Sequence, residues 1–172
     1  MSTTVEKSLS DLISAEGIAE MDAWIAKYPE KGKRSAVMGG LMLAQRENNN
    51  YLTDELMNAV ADYIGIPRMA AYEVATFYSM YNLDPVGKYV INVCTNISCS
   101  LRGSEKVLEK LKKKLGVSAG ETTADNQFTI HEVECQGACA GAPMMEVDQV
   151  FHEHLTDEKI DQIIDQLAKP AN

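Results

Sequence analysis

The placement of the cysteines constrains this chain more than any other feature. All four lie between positions 94 and 139, as Cys94-Thr-Asn-Ile-Ser-Cys99 and Cys135-Gln-Gly-Ala-Cys139, and the first 93 residues contain none. One multi-thiolate site produces such clustering, and it requires two loops distant in sequence to meet. Disulfides are the plain alternative, but they belong to oxidising compartments and to small domains without a core. This chain has 172 residues, 45% of them hydrophobic, so it can bury a real core. A thioredoxin-type dithiol needs Cys-x-x-Cys, a spacing absent from both pairs. Four buried apolar cysteines are a further possibility, against which the paired spacing and flanking glycine argue.

Metal sites remain. Zinc accepts two to four residues between paired ligands, a range that holds both pairs. An iron–sulfur cluster also takes four thiolates and needs backbone N–H donors around its sulfides. A plant-type ferredoxin needs a third cysteine where this chain has Arg102, and no histidine adjoins the cysteines as a Rieske centre requires. Both pairs are expected in loops, with Gly137 allowing close approach of backbone and with Thr95, Ser98 and Ser100 able to donate to sulfur. Spacing alone leaves zinc and iron–sulfur both open.

Around the pairs, Lys88 to Val93 reads as a strand running into Cys94 and Phe128 to Glu134 as a strand ending at Cys135. Between them a helix is expected from Ser104, its cap, to Gly116, with Val107, Leu108, Leu111 and Leu115 in one stripe. Met144 to Val147 and Val150 to His154 read as a hairpin about Asp148-Gln149. Thr156-Asp157-Glu158 opens a last helix with Ile160, Ile163, Ile164 and Leu167 inward and Pro170 just beyond it. A strand–helix–strand crossover makes the first two strands parallel, so both cysteine pairs should follow strand C-termini at one sheet edge. The thioredoxin-like fold has this element order.

The first half reads as helical: roughly 15–27, roughly 34–47, a helix capped by Thr53 and closed by Gly65, and a fourth with Pro67 as its first residue. Asn82-Leu-Asp-Pro-Val-Gly87 is the linker. The division expected is 1–82, a helical bundle that docks on a partner, and 83–172, the cysteine-bearing domain; the fold class is α+β. The segment 53–78 has the outline of a DNA-reading helix-turn-helix, yet residues 51–81 hold one Arg and four acids. The charge is −9 overall, −4 over residues 1–82 and −5 over 83–172, so neither half offers the Lys/Arg surplus that nucleic acid requires. The aromatic stretch Tyr72, Phe77, Tyr78, Tyr81, with Met69 and Met80, reads as core with a part that meets a partner. Ala36 to Ala44, the longest apolar run, is far short of the roughly 20 residues of a membrane helix. The first residues lack the apolar run of a secretory signal, so a water-soluble, cytoplasmic chain is expected.

The runs Glu-Val-Ala-Thr-Phe-Tyr-Ser-Met-Tyr-Asn-Leu (73–83), Pro-Val-Gly-Lys (85–88), Val-Cys-Thr-Asn-Ile-Ser-Cys (93–99) with Leu101-Arg102-Gly103, and Glu-Cys-Gln-Gly-Ala-Cys-Ala-Gly-Ala-Pro (134–143) carry a specific likeness. From about Tyr28 to Leu167 the chain resembles the family of E-type subunits of bacterial NADH–quinone oxidoreductase, respiratory complex I, which are thioredoxin-like [2Fe–2S] ferredoxins. The resemblance implies a helical N-terminal bundle followed by a thioredoxin-like α/β domain, and one [2Fe–2S] cluster held by Cys94, Cys99, Cys135 and Cys139. It implies an electron carrier with no catalytic residue of its own, beside a flavoprotein subunit that binds FMN and NADH. Other iron–sulfur subunits of the peripheral arm would adjoin it, on the cytoplasmic side of the inner membrane, with no membrane insertion by this chain. The equivalent subunit of an NAD-linked hydrogenase or formate dehydrogenase is the near alternative, and a zinc-stabilised interaction module the distant one. Gln136 stands where the family pattern has Leu, and Gly141 where Asn is frequent.

A four-thiolate cluster of two ferric ions carries −2 and becomes −3 on reduction, so a low potential is implied, about −400 mV for plant-type clusters of the same ligation. Arg102 and loop N–H groups would offset part of that charge. Glu132, Glu134 and the acids of 157–165 read as solvated faces, and His131, His152 and His154 as strand or hairpin positions. Ala142-Pro143, ahead of a strand, is the expected cis peptide.

Overall fold

Local signals account for most of the first half. A computed structural model describes residues 7–169. Pro170 lies outside them. Helix α1 (Ala15–Ala26) starts at Ser14, whose hydroxyl accepts from the Gly17 N–H. Helix α3 (Asp54–Ile64) is capped by Thr53 and closed by Gly65 at φ 80°, a left-handed turn that costs glycine little. The helix expected from about 34 differs: residues Glu30–Ala36 wind as a 3₁₀ helix after Pro29, and α2 (Val37–Glu47) begins only there. Pro67 sits one residue outside α4 (Arg68–Phe77), as its N-cap rather than its first residue.

These helices enclose a core of Leu9, Met21, Leu41, Leu43, Leu52, Val60 and their neighbours. Full burial of such side chains contributes about 1.5–3 kcal/mol each, which is what holds so short a bundle together. Gly39 lets α2 close on Trp24, because a Cβ there would overlap the indole ring. Of the aromatic stretch, Tyr81 is buried and donates to the Met38 carbonyl at 3.0 Å, while Phe77 and Met69 are exposed.

The chain divides into two compact units between Pro85 and Val86. In the second, β1 (Tyr89–Cys94), β2 (Phe128–Val133), β3 (Met145–Val147) and β4 (Val150–His152) form one sheet in the order β2-β1-β3-β4. β1 and β2 run parallel with Cys94 opposite Val133; β3 is antiparallel to both β1 and β4. The β3–β4 hairpin turns at Asp148 and Gln149, both at positive φ, which matches the twist of the flanking strands. Ile91, Val93, Phe128, Ile130, Met145 and Val147 pack with Val107, Leu108 and Leu111 of α6 (Ser104–Leu115) and with Ile160 and Ile164 of α7 (Asp157–Leu167). The amphipathic stripes therefore fall where the sequence places them.

Two local readings change. A short helix, α5 (Ile97–Leu101), stands inside the first cysteine segment. Ser104 does not cap α6: Gly103, at φ 94°, is the N-cap, and Ser104 is the first helical residue, wholly buried, its hydroxyl without a hydrogen-bond partner. The tight reversal from α5 into α6 demands a positive φ, so glycine takes the cap and serine is drawn inward. The Ala142-Pro143 peptide is cis, as expected. No described helix is long and apolar enough to cross a membrane.

Candidate metal centre

The parallel pairing of β1 and β2 brings the two cysteine segments together. Cys94 is the last residue of β1 and Cys99 lies in α5, while Cys135 follows β2 and Cys139 opens a 3₁₀ turn, Cys139–Gly141. The two segments are thus not simple loops, as the glycine and serine content suggests; three of the four cysteines occupy regular structure. The Thr95 N–H donates to the Val133 carbonyl at 3.1 Å and the Cys94 N–H to that of Met144 at 3.4 Å, fixing the strand end between its neighbours.

The four thiols form one electrostatic group of free cysteines. Burial opposes ionisation of Cys94, but backbone N–H groups of Asn96 and Gln136 and the thiols of Cys99 and Cys135 hold it below its ordinary value. Cys99 is pushed up to about 11, first by burial, then by the Cys94 sulfur, with Cys139 adding to it. Cys94 and Cys99 are 4% and 1% exposed, packed with Ala142 and Met144, whereas Cys135 and Cys139 are open to solvent. Gly137, at φ 76°, turns its N–H onto the Cys135 sulfur at 3.3 Å. Backbone amides are therefore among the donors to sulfur. The Thr95 hydroxyl, read as a sulfur donor, points instead to the Val133 carbonyl at 3.4 Å.

The donor set suits a cluster with two irons. Four thiols meet at one edge with amide donors aimed at them, and a cluster of this kind takes four thiolates with backbone N–H donors around its sulfides. Arg102 is exposed and ends α5, its N–H donating to the Ser98 and Cys99 carbonyls. His131 is half-buried on β2, and His152 and His154 lie in and just after β4. Ile97 and Leu101, one turn apart on α5, are 73% and 82% exposed. Spacing alone gave no sign of that apolar pair, because α5 itself was not expected.

A family model for the thioredoxin-like [2Fe–2S] ferredoxin matches residues 21–168. The chain belongs to that family. Among the relatives of this thioredoxin-like [2Fe–2S] ferredoxin, the NADH-quinone oxidoreductase subunit designated E of Rickettsia felis is 46% identical over 168 residues, 98% of this chain and 97% of that one. Its counterpart in Rickettsia conorii is 49% identical over 143 residues, 83% and 86% of the two chains. The mitochondrial NADH dehydrogenase [ubiquinone] flavoprotein 2 of Dictyostelium discoideum is 43% identical over 152 residues, 88% of this chain and 62% of that protein. An NAD+-reducing [NiFe]-hydrogenase in its air-oxidised state shares the fold, with TM-score 0.63 and 20% identity over 74% of this chain and 22% of that chain.

Proposed function

We propose that this chain is the electron-carrying E-type subunit of an NADH–quinone oxidoreductase, with Cys94, Cys99, Cys135 and Cys139 as the ligands of one [2Fe–2S] cluster. The observation that carries the reading is the meeting of four free thiols at one sheet edge in a chain whose relatives, at 46–49% identity, are E-type subunits of that enzyme. When bound, the cluster supplies a one-electron redox centre that exchanges electrons with FMN on an NADH-binding flavoprotein subunit.

The residues of this chain do the rest. Cys94 and Cys99, seated against Ala142 and Met144, hold their sulfurs in an apolar floor that excludes water. Gly137 supplies an amide donor to Cys135, and such donors favour the charged thiolate. Ile97 and Leu101 present apolar surface beside Cys99, and we assign them to the contact with the flavoprotein. The helical unit is assigned to docking within the peripheral arm, and the complex to the cytoplasmic side of the inner membrane. The hydrogenase-linked alternative has only a shared fold at 20% identity behind it, so the quinone-linked reading stands on the curated relatives.

The decisive measurement is iron, sulfide and zinc content with a visible spectrum of the purified full chain. Two irons and two sulfides per chain, with colour bleached by dithionite, are expected, as is co-purification with an FMN-containing subunit. A colourless protein with one zinc overturns the reading.

A further inference from the structure

Beyond the cysteines, one side chain is held directly over the ligand-bearing turn. The backbone after β4 is stapled onto the segment that follows Cys139: the His154 N–H donates to the Gly141 carbonyl at 2.6 Å and the Leu155 N–H to the Pro143 carbonyl at 3.0 Å. These bonds fix Glu153, whose side chain lies across the face of Gly141. A Cβ on Gly141 would overlap the Glu153 Cβ, Cγ and carboxyl carbon at once, so glycine at 141 is what leaves room for the carboxylate. Gly141 is buried and closes the 3₁₀ turn that Cys139 opens, its N–H donating to the Ala138 carbonyl at 3.0 Å. Gly141 ends the three-residue turn that Cys139 begins, so the Glu153 side chain lies against the ligand-bearing turn itself. The neighbouring Lys159 ammonium is bonded to the Glu153 carbonyl oxygen, not to its carboxylate.

We propose that Glu153 is a positioning and charge-setting residue of the metal centre. Its side chain braces the Cys139–Gly141 turn, and its carboxylate adds negative charge beside the thiolates. One-electron reduction makes the site more negative by one unit, so a nearby carboxylate disfavours it. The inference rests on the cluster reading above, through the site that Cys139 helps to build.

The test is an optical and EPR-monitored redox titration of the full chain with its cluster. Iron and sulfide are assayed first: a wild-type chain without two of each removes the cluster reading, and this inference with it. With the cluster present, Glu153→Gln keeps the shape and removes the charge. It is expected to favour reduction several-fold, up to about tenfold, which for one electron is about 59 mV upward. Gly141→Ala, which pushes the Glu153 side chain aside, should move the midpoint the same way, and the double variant should fall short of the sum. Gly141→Ala carries the test alone if Glu153→Gln does not retain its cluster. A midpoint that is unchanged or lowered, at full cluster content, overturns the role of Glu153 while leaving the cluster reading intact.

Discussion

The two cysteine pairs enter the same site on opposite terms. Cys94 and Cys99 sit on a strand end and a helix, buried among Ala142 and Met144; Cys135 and Cys139 are exposed on either side of Gly137. The first pair is part of a buried apolar cluster. The second lies outside any core. One half of the site is thus built into β1 and α5, and the other rests on a few backbone bonds.

Stability of the metal-free protein is the sharpest way to break that contrast. Each of the four Cys→Ala changes should reduce iron content to a small fraction of wild type. In the apo protein, Cys94→Ala and Cys99→Ala should each cost about 1–2 kcal/mol through the cavity left behind. Cys135→Ala and Cys139→Ala should stay within about 0.5 kcal/mol of wild type. Equal costs from urea melts of all four apo variants would erase the distinction.

A smaller effect is expected at Gly137. Its φ is 76° and a Cβ there meets nothing within 4 Å, so Gly137→Ala isolates the backbone cost, about 1 kcal/mol. Because that strain falls on the exposed pair, the rate of cluster loss to a chelator should rise a few-fold while the strand-held pair is undisturbed. An unchanged rate would mean that the exposed turn is not the weak side.

The smallest effect concerns β2, the strand that leads to the exposed pair. Burial holds the half-buried His131 below its ordinary pKa, so the unfolded chain binds the proton first. The resulting stability is fully present above the unfolded value, near 6.5, and is lost as pH falls through the lower folded value. One such group changes stability by no more than about 1.4 kcal/mol per pH unit. Denaturant midpoints of His131→Gln between pH 7 and 5 should be flatter than those of wild type; parallel curves would dismiss the histidine.

Much of this was legible in advance wherever the signal is local. Thr53, Gly65, Gly116 and Thr156 mark helix ends through bonds and torsions within a few residues, and they do so in the structure. The Asp148-Gln149 turn and the stripe Val107, Leu108, Leu111 were equally readable. The failures also have local causes. Ser104 has the right chemistry for a cap, but the reversal before it needs a positive φ that only Gly103 supplies cheaply. α5 spans five residues, too short for periodicity to register.

The residues to which we assign the chemistry were thus written along the chain: four cysteines in two spaced pairs, each pair beginning directly after a run of strand-forming residues. So was the acidic balance of both halves. Folding chose which pair would be buried, which amides would face sulfur, and that Glu153 would lie over Gly141. Those outcomes depend on contacts between segments as far apart as β1 and the turn after β4, and no pattern along the chain encodes a distance between segments that only the mixed sheet brings together.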